Sequence, residues 1–193
     1  DGSGVEEQAA AARLVRLACD LVGKPGPDPA MVVDADLRPE GKGGPLVRTV
    51  SSYLSYYARW SSAWEAQALL RARPAAGEQE LASAVLEGVE GLRYPDGGLT
   101  AAQVAEIRRL KSRMENERIP RGTDKERHLK LGSGGLSDVE WTIQLLQLQH
   151  AGARSALRTP STLQAIDAAE GLELLTAEQA ADLREGWVHV SRV

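Results

Sequence analysis

Hydrophobic positions recur at helical spacing along most of this chain, with one short interruption of a different period. Leu14, Val15, Leu17, Ala18, Leu21 and Val22 predict an amphipathic helix over Val5 to Val22, which Gly23, Pro25, Gly26 and Pro27 bring to an end. From Val32 to Leu37 the pattern alternates instead: Val33, Ala35 and Leu37 share one face, while Asp34 and Asp36 share the other with Arg38 following. This predicts a half-buried strand that runs into the glycine-rich turn GKGG and Pro45, with Leu46 to Val50 as a candidate edge strand. From Ser51 the chain reads as almost wholly helical. Tyr53, Tyr56, Tyr57, Trp60 and Trp64 predict a buried aromatic stripe, with adenine stacking as the other use of such rings. Leu81, Val85, Leu86 and Val89 predict a helix from about Glu78 to Leu92, closed by Pro95, Gly97 and Gly98. Thr100 with Gln103 forms a capping box opening a helix to about Arg118, whose seam is Val104, Ile107, Leu110 and Met114. A polar loop over 120–128 follows. Ser137 with Glu140 predicts a second capping box and a helix to Gly152, and two further helices are expected near Ser161 to Glu170 and Ala177 to Ser191.

At 193 residues the chain can bury a core as one domain or two small ones. Its 23 Lys and Arg against 27 Asp and Glu leave a net charge of -4, which argues against a general nucleic-acid binder. Cys19 is the only cysteine, so an internal disulfide and a cysteine-rich zinc site are excluded; it is expected as a small buried apolar residue in a reducing compartment. No segment approaches the roughly 20 apolar residues of a membrane span, and the amino terminus lacks signal-peptide order, so a soluble, cytoplasmic protein without membrane contact is expected. Phenylalanine is absent, which leaves Leu, Val, Trp and Tyr to build the core.

Three islands carry candidate chemistry. In the first, Asp34 and Asp36 lead into Arg38, Lys42 and the backbone of Gly41, Gly43 and Gly44, a combination suited to a metal-bound polyphosphate. A charged surface hairpin fits the same residues. In the second, WEAQALLRAR, helical winding puts Trp64, Gln67, Ala68 and Arg71 on one face and Arg73 roughly opposite. Such an arginine is then a phosphate clamp or the partner of Glu65 or of a neighbouring helix in an ion pair. The third, KLGSGGLSDVEW, is a glycine loop entering a helix amino terminus, where free N–H groups favour anions; it is not a Walker A loop, since no Gly-Lys-Ser/Thr follows. Lys130 can reach a phosphate there, and Asp138 or Glu140 can orient water or a basic partner, although Glu140 is equally a capping acid. Arg108, Lys111, Arg113 and Arg118 are expected to form a solvated helix face. His128, His150 and His189 lack ligand spacing.

Taken in order, the islands resemble the glutamine synthetase adenylyltransferase family. Its Asp-x-x-Leu-Arg-Pro-x-Gly pattern is met by Asp34, Leu37, Arg38, Pro39 and Gly41, its Trp-Glu-x-Gln-Ala-Leu-x-Arg-Ala-Arg by Trp64 to Arg73, and its Lys-x-Gly-x-Gly-Gly-x-x-Asp-x-Glu by Lys130 to Glu140. The resemblance implies a DNA polymerase beta-like nucleotidyltransferase with two related halves, each joining an α/β catalytic domain to a helical bundle. One half attaches AMP to a tyrosine of glutamine synthetase and the other removes it by phosphorolysis. The chain is therefore expected to be mostly α, with 1–76 as the last part of a small α/β nucleotidyltransferase domain and 77–193 as a helical bundle. Asp-Val-Glu after the double glycine resembles the adenylylating, carboxy-terminal half.

By the same resemblance Asp34 is the catalytic, metal-binding carboxylate, while Arg38, Lys42, Arg71, Arg73 and Lys130 surround the phosphates of ATP. Asp36 stands where relatives carry Arg or Asn and is not expected to be a ligand. Magnesium is the expected cofactor; it assists attack by a tyrosine oxygen whose ordinary pKa, about 10, keeps it protonated at neutral pH. The family's Gly-Ser-x-x-Ser-Asp-x-Asp motif does not occur, so a fragment that does not transfer AMP unaided is expected. Expected partners are glutamine synthetase and a PII-type signal protein, with no nucleic acid. The alternatives are the deadenylylating half and a non-catalytic helical docking and regulatory module.

Overall fold

The computed structural model describes residues 2–27, 29–120, 122–124 and 127–192. The loop expected over 120–128 includes 121, 125 and 126, which lie outside the described residues. Among the described residues the chain is helical, without a strand, and divides into two compact units, Asp1–Ser61 and Ser62–Val193. No helix among them is long and apolar enough to cross a membrane.

The first unit holds α1 (Gly2–Val22) and α2 (Val50–Trp60), joined by an irregular segment with a short 3-10 turn at Gly41–Gly43. Thr49 starts α2, its hydroxyl accepting the Ser52 N–H at 3.2 Å. The strand expected over Val32 to Leu37 does not form, and neither does the edge strand over Leu46 to Val50. A strand needs ladder partners for its N–H and C=O groups, and no neighbouring strand exists among the described residues. Nor is there a packed back to this segment, since Val33 and Leu37 are exposed along with Leu14, Leu17 and Leu21 of α1. The aromatic stripe is buried only at Tyr57, on which the rings of Tyr53 and Tyr56 converge at 4.9 and 5.3 Å; Trp60 points to solvent. Cys19 is half-buried rather than buried.

The second unit is a bundle of α3 (Ala63–Leu69), α4 (Gln79–Gly88), α5 (Glu90–Arg93), α6 (Ala101–Glu117), α7 (Leu136–His150), α8 (Thr162–Gly171) and α9 (Ala177–Val190). Capping boxes open α3 at Ser62 and Glu65, α6 at Thr100 and Gln103, and α9 at Thr176 and Gln179, each satisfying N–H groups that a helix start leaves without partners. The helix expected from Glu78 to Leu92 breaks at Val89, which is buried and has left helical geometry. One core joins Ala63, Ala66 and Leu70 to Ile107, Leu148, Leu157 and Ala169, and a second joins Val139 and Ile143 to Ala165, Ile166 and Ala180. Alanine and isoleucine thus carry more of the interior than the aromatics expected there. Small side chains at the crossings let the helix backbones approach closely, which replaces the bulk that phenylalanine would supply.

Candidate functional site

In the first unit, Asp34 is exposed, and its Oδ1 accepts the backbone N–H of Asp36 at 2.8 Å, closing a local turn. The two basic residues of the loop meet Asp36 instead: Lys42 Nζ lies 3.3 Å from it and Arg38 4.0 Å. Arg38 works mainly as a staple. It donates to the carbonyls of Ala35 at 2.8 Å, Gly44 at 3.1 and 3.2 Å, and Lys42 at 3.4 Å. Those bonds hold a turn in which Glu40 and Gly41 both adopt left-handed geometry, and in which a Cβ on Gly44 would sit 2.2 Å from the Pro39 carbonyl. Pro39 and Gly44 are buried beneath the staple, whereas the Lys42 side chain is 84% exposed.

In the second unit, α3 ends at Leu69, so Arg71 lies in the turn after it and Arg73 beyond that. The opposed faces expected of the two arginines therefore do not apply. Arg71 is drawn into the bundle: it donates to the Thr162 hydroxyl, lies 3.5 Å from Glu140 and sits over the Trp187 ring at 5.7 Å. Glu140 also accepts from Gln144 at 3.5 Å, and Gln144 in turn accepts from buried Gln67 at 2.7 Å. This chain of polar groups ties α3, α7 and α8 together across the core. Arg73 is exposed and, among the described residues, reaches only the adjacent Pro74 carbonyl, at 3.4 Å.

The glycine loop differs from the expected anion cradle. Gly135, not Ser137, is the N-cap of α7, and the first N–H groups of the helix already have acceptors within the loop. Leu136 N–H donates to the Leu129 carbonyl at 2.9 Å, Ser137 N–H to that of Lys130 at 3.0 Å, and Asp138 N–H to that of Gly135 at 2.9 Å. Ser137 adds its hydroxyl to the Lys130 carbonyl. The capping box expected at Ser137 and Glu140 is therefore absent. The helix starts earlier, which turns Ser137 onto the loop and leaves Glu140 free to meet Arg71. Gly135 permits this closure, because a Cβ there would lie 2.7 Å from the Leu129 carbonyl. Lys130 stands exposed on the loop, and its side chain is not held by any hydrogen bond or ion pair among the described residues.

Lys111 is no solvated decoration. Its ammonium pairs with Glu115 and with Asp138, whose other oxygen accepts the Gly134 N–H at 2.7 Å. Burial alone would push the Lys111 pKa down, but the hydrogen bonds that its ammonium donates to Asp138 and Glu115, with the attraction of those two charges, outweigh it and raise the value above 10.5. Asp138 thus fastens the loop to α6. A basic partner for Asp138 is among the roles expected from the sequence, but Lys111 as that partner was missed, as were Thr162, Gln144 and Trp187, because nothing local marks partners brought in from distant helices.

As to magnesium, no group of three or more His, Cys, Asp or Glu side chains among the described residues comes together to hold an ion. Asp34 offers a single carboxylate, with one oxygen already accepting a backbone N–H. These residues do not by themselves complete a magnesium site.

Residues 2–88 match the family described as Glutamate-ammonia ligase adenylyltransferase, and residues 101–193 match that described as GlnD PII-uridylyltransferase. A protein of Cutibacterium acnes named bifunctional glutamine synthetase adenylyltransferase/adenylyl-removing enzyme is 56% identical over 193 residues, covering 100% of this chain and 19% of that protein. Proteins of the same name from Streptomyces avermitilis and Mycobacterium marinum are 54% and 49% identical, over 98% and 100% of this chain and 19% of each of theirs. The chain thus spans about one fifth of the length of the curated relatives it matches. With likeness at this level running from one end of the sequence to the other, the chain belongs to the glutamine synthetase adenylyltransferase family.

Proposed function

We propose that this chain is part of an enzyme that moves AMP from ATP to a tyrosine of glutamine synthetase, and that it comes from the adenylylating half. The observation that carries this reading is the 56% identity, over the whole chain, to a protein named for adenylyl transfer and removal. In the full-length protein Asp34 supplies one carboxylate of a magnesium site whose other ligands lie outside the described residues. Lys42, Arg73 and Lys130, whose cationic heads are exposed, approach the phosphates of ATP. Arg38 and Arg71 serve the phosphates as well, and each also holds its own surroundings in shape through the carbonyl, hydroxyl and carboxylate partners described above. The exposed apolar side chains of α1 and of Met31, Val32 and Val33 support the view that residues 1–76 are the last part of an α/β nucleotidyltransferase domain, because such surface is normally covered.

The test is Asp34→Asn in the full-length protein, followed by transfer of labelled AMP from ATP to unmodified glutamine synthetase. Loss of at least a hundredfold, with the melting temperature kept, is expected; wild-type transfer and unaltered magnesium dependence would refute the assignment. Release of AMP from modified glutamine synthetase, abolished by the same substitution, would instead make this the removing half. The match of residues 101–193 to a PII-uridylyltransferase family favours an additional docking and regulatory role for the second unit. Titration of the protein with a PII-type signal protein tests it, and absence of saturable binding counts against it.

A further inference from the structure

α2 carries a polar stripe that the loop chemistry does not absorb. Ser52, Ser55, Tyr56 and Arg59 recur at three- and four-residue spacing, which puts them on one side of the helix. Arg48 precedes the stripe, Trp60 closes its far end, and Glu40 walls it from the glycine-rich loop. Together they line an open groove of about 800 Å3, within the range of ligand sites.

The groove carries two guanidinium groups against one carboxylate. Glu40 is already paired with Arg48, whose Nη1 also reaches the Ser52 hydroxyl at 3.4 Å, yet Arg48 Nε is buried with no acceptor. Arg59 is exposed and has no carboxylate partner among the described residues. Guanidinium groups so placed favour carboxylates or phosphates. Trp60, 68% exposed at the rim, adds an apolar face.

We propose that this groove binds an acidic peptide segment carrying an aromatic side chain, as the stretch of protein substrate beside the acceptor tyrosine; this rests on the reading that the chain serves AMP transfer to a protein. Ser52 to Arg59 spans about 10 Å of helix, the length of roughly three extended residues. Carboxylates spaced along such a segment meet Arg48 near one end and Arg59 near the other, and its aromatic ring covers Trp60. A single phosphate fits less well, because Arg48 and Arg59 stand at opposite ends of the stripe, with about 10 Å of helix between Ser52 and Arg59 alone. Glu40 belongs to the same loop as Lys42, so a peptide held here lies beside the proposed phosphate-binding turn.

The experiment uses the full-length protein and a fluorescein-labelled Glu/Tyr copolymer, followed by anisotropy, with a Lys/Tyr copolymer as charge control and AMP as competitor. Saturable binding of the acidic polymer alone is expected. Arg59→Glu should weaken it at least tenfold and Trp60→Ala severalfold, with Arg59→Lys retaining most of the affinity and all melting temperatures near wild type. Unchanged affinity in Arg59→Glu and Trp60→Ala overturns the proposal, as does displacement by AMP. Should Arg59→Glu fail to fold, Ser55→Glu places the same repulsion on an exposed position of the stripe and is read the same way. Asp34→Asn is expected to keep polymer affinity, so failure of the groove and failure of the AMP-transfer reading are separately visible.

Discussion

Lys111 offers the sharpest test of how the glycine loop is held. Its side chain is 27% exposed and that of Asp138 32%, which puts the pair between two regimes. Fully exposed pairs contribute about 0–1 kcal/mol, and removing one member of a fully buried pair costs about 3–5 kcal/mol. A coupling of about 1–2 kcal/mol follows for the intermediate case. A double-mutant cycle of Lys111→Met and Asp138→Asn isolates it, because Met keeps the apolar stem and Asn keeps an acceptor for the Gly134 N–H. Urea unfolding followed by far-UV circular dichroism gives the four free energies. The pH dependence has a definite sign. The Lys111 pKa is raised in the fold above its ordinary 10.5, so the ammonium form favours the folded state. Its contribution is complete below that ordinary value and is lost as pH rises through the raised one. The coupling should be flat between about pH 6 and 9 and decline above about 10.5. A neutral-pH coupling below about 0.3 kcal/mol, within the usual error of additivity, would refute the latch. So would a stabilisation by Lys111 that grows with rising alkalinity.

Gly44→Ala should destabilise the Asp34 to Gly44 turn by more than about 2 kcal/mol, because its Cβ meets the Pro39 carbonyl at 2.2 Å, which is backbone and does not yield cheaply. Faster amide exchange over residues 36–44 is the measurement, and wild-type protection there would contradict it. Gln144→Leu should cost about 1–3 kcal/mol in urea titrations by leaving the Gln67 amide buried without its acceptor. Adding Gln67→Leu should recover part of that loss, whereas a double mutant as unstable as the sum of the singles would show that the hydrogen bond is not what matters.

Most of the bundle was legible because its signals are local. Thr100 and Gln103 mark the start of α6 within four residues, and no distant group is needed to interpret them. The strand over Val32 to Leu37 fails for the opposite reason: alternation says which side chains share a face, but a strand exists only where another backbone pairs with it. Ser137 and Glu140 show a subtler limit. A Ser-x-x-Glu spacing reads as a cap when the helix begins at Ser137, and the decision to begin two residues earlier belongs to Gly135, where the absence of a Cβ lets the loop close on the helix. Arg71 is bound by Thr162 and Trp187, residues no window around α3 contains.

The cations grouped by sequence around a phosphate separate once their donors are followed. A guanidinium has five N–H donors in a fixed fork, so its partners both occupy and orient it. Arg38 directs its fork at Ala35, Lys42 and Gly44, and Arg71 divides its own between Thr162 and Glu140; a substitution at either deforms the surroundings before it removes charge from a ligand. Lys42 carries its ammonium 84% exposed on a turn that Arg38 holds rigid, and Lys130 stands on a loop that Asp138 and Ser137 hold closed. Mobile charge on fixed backbone is the arrangement that lets a cation follow a phosphate without reorganising the protein. Loss of ATP affinity with no change in melting temperature is therefore expected to separate Lys42 and Lys130 from Arg38 and Arg71, where the two should fall together.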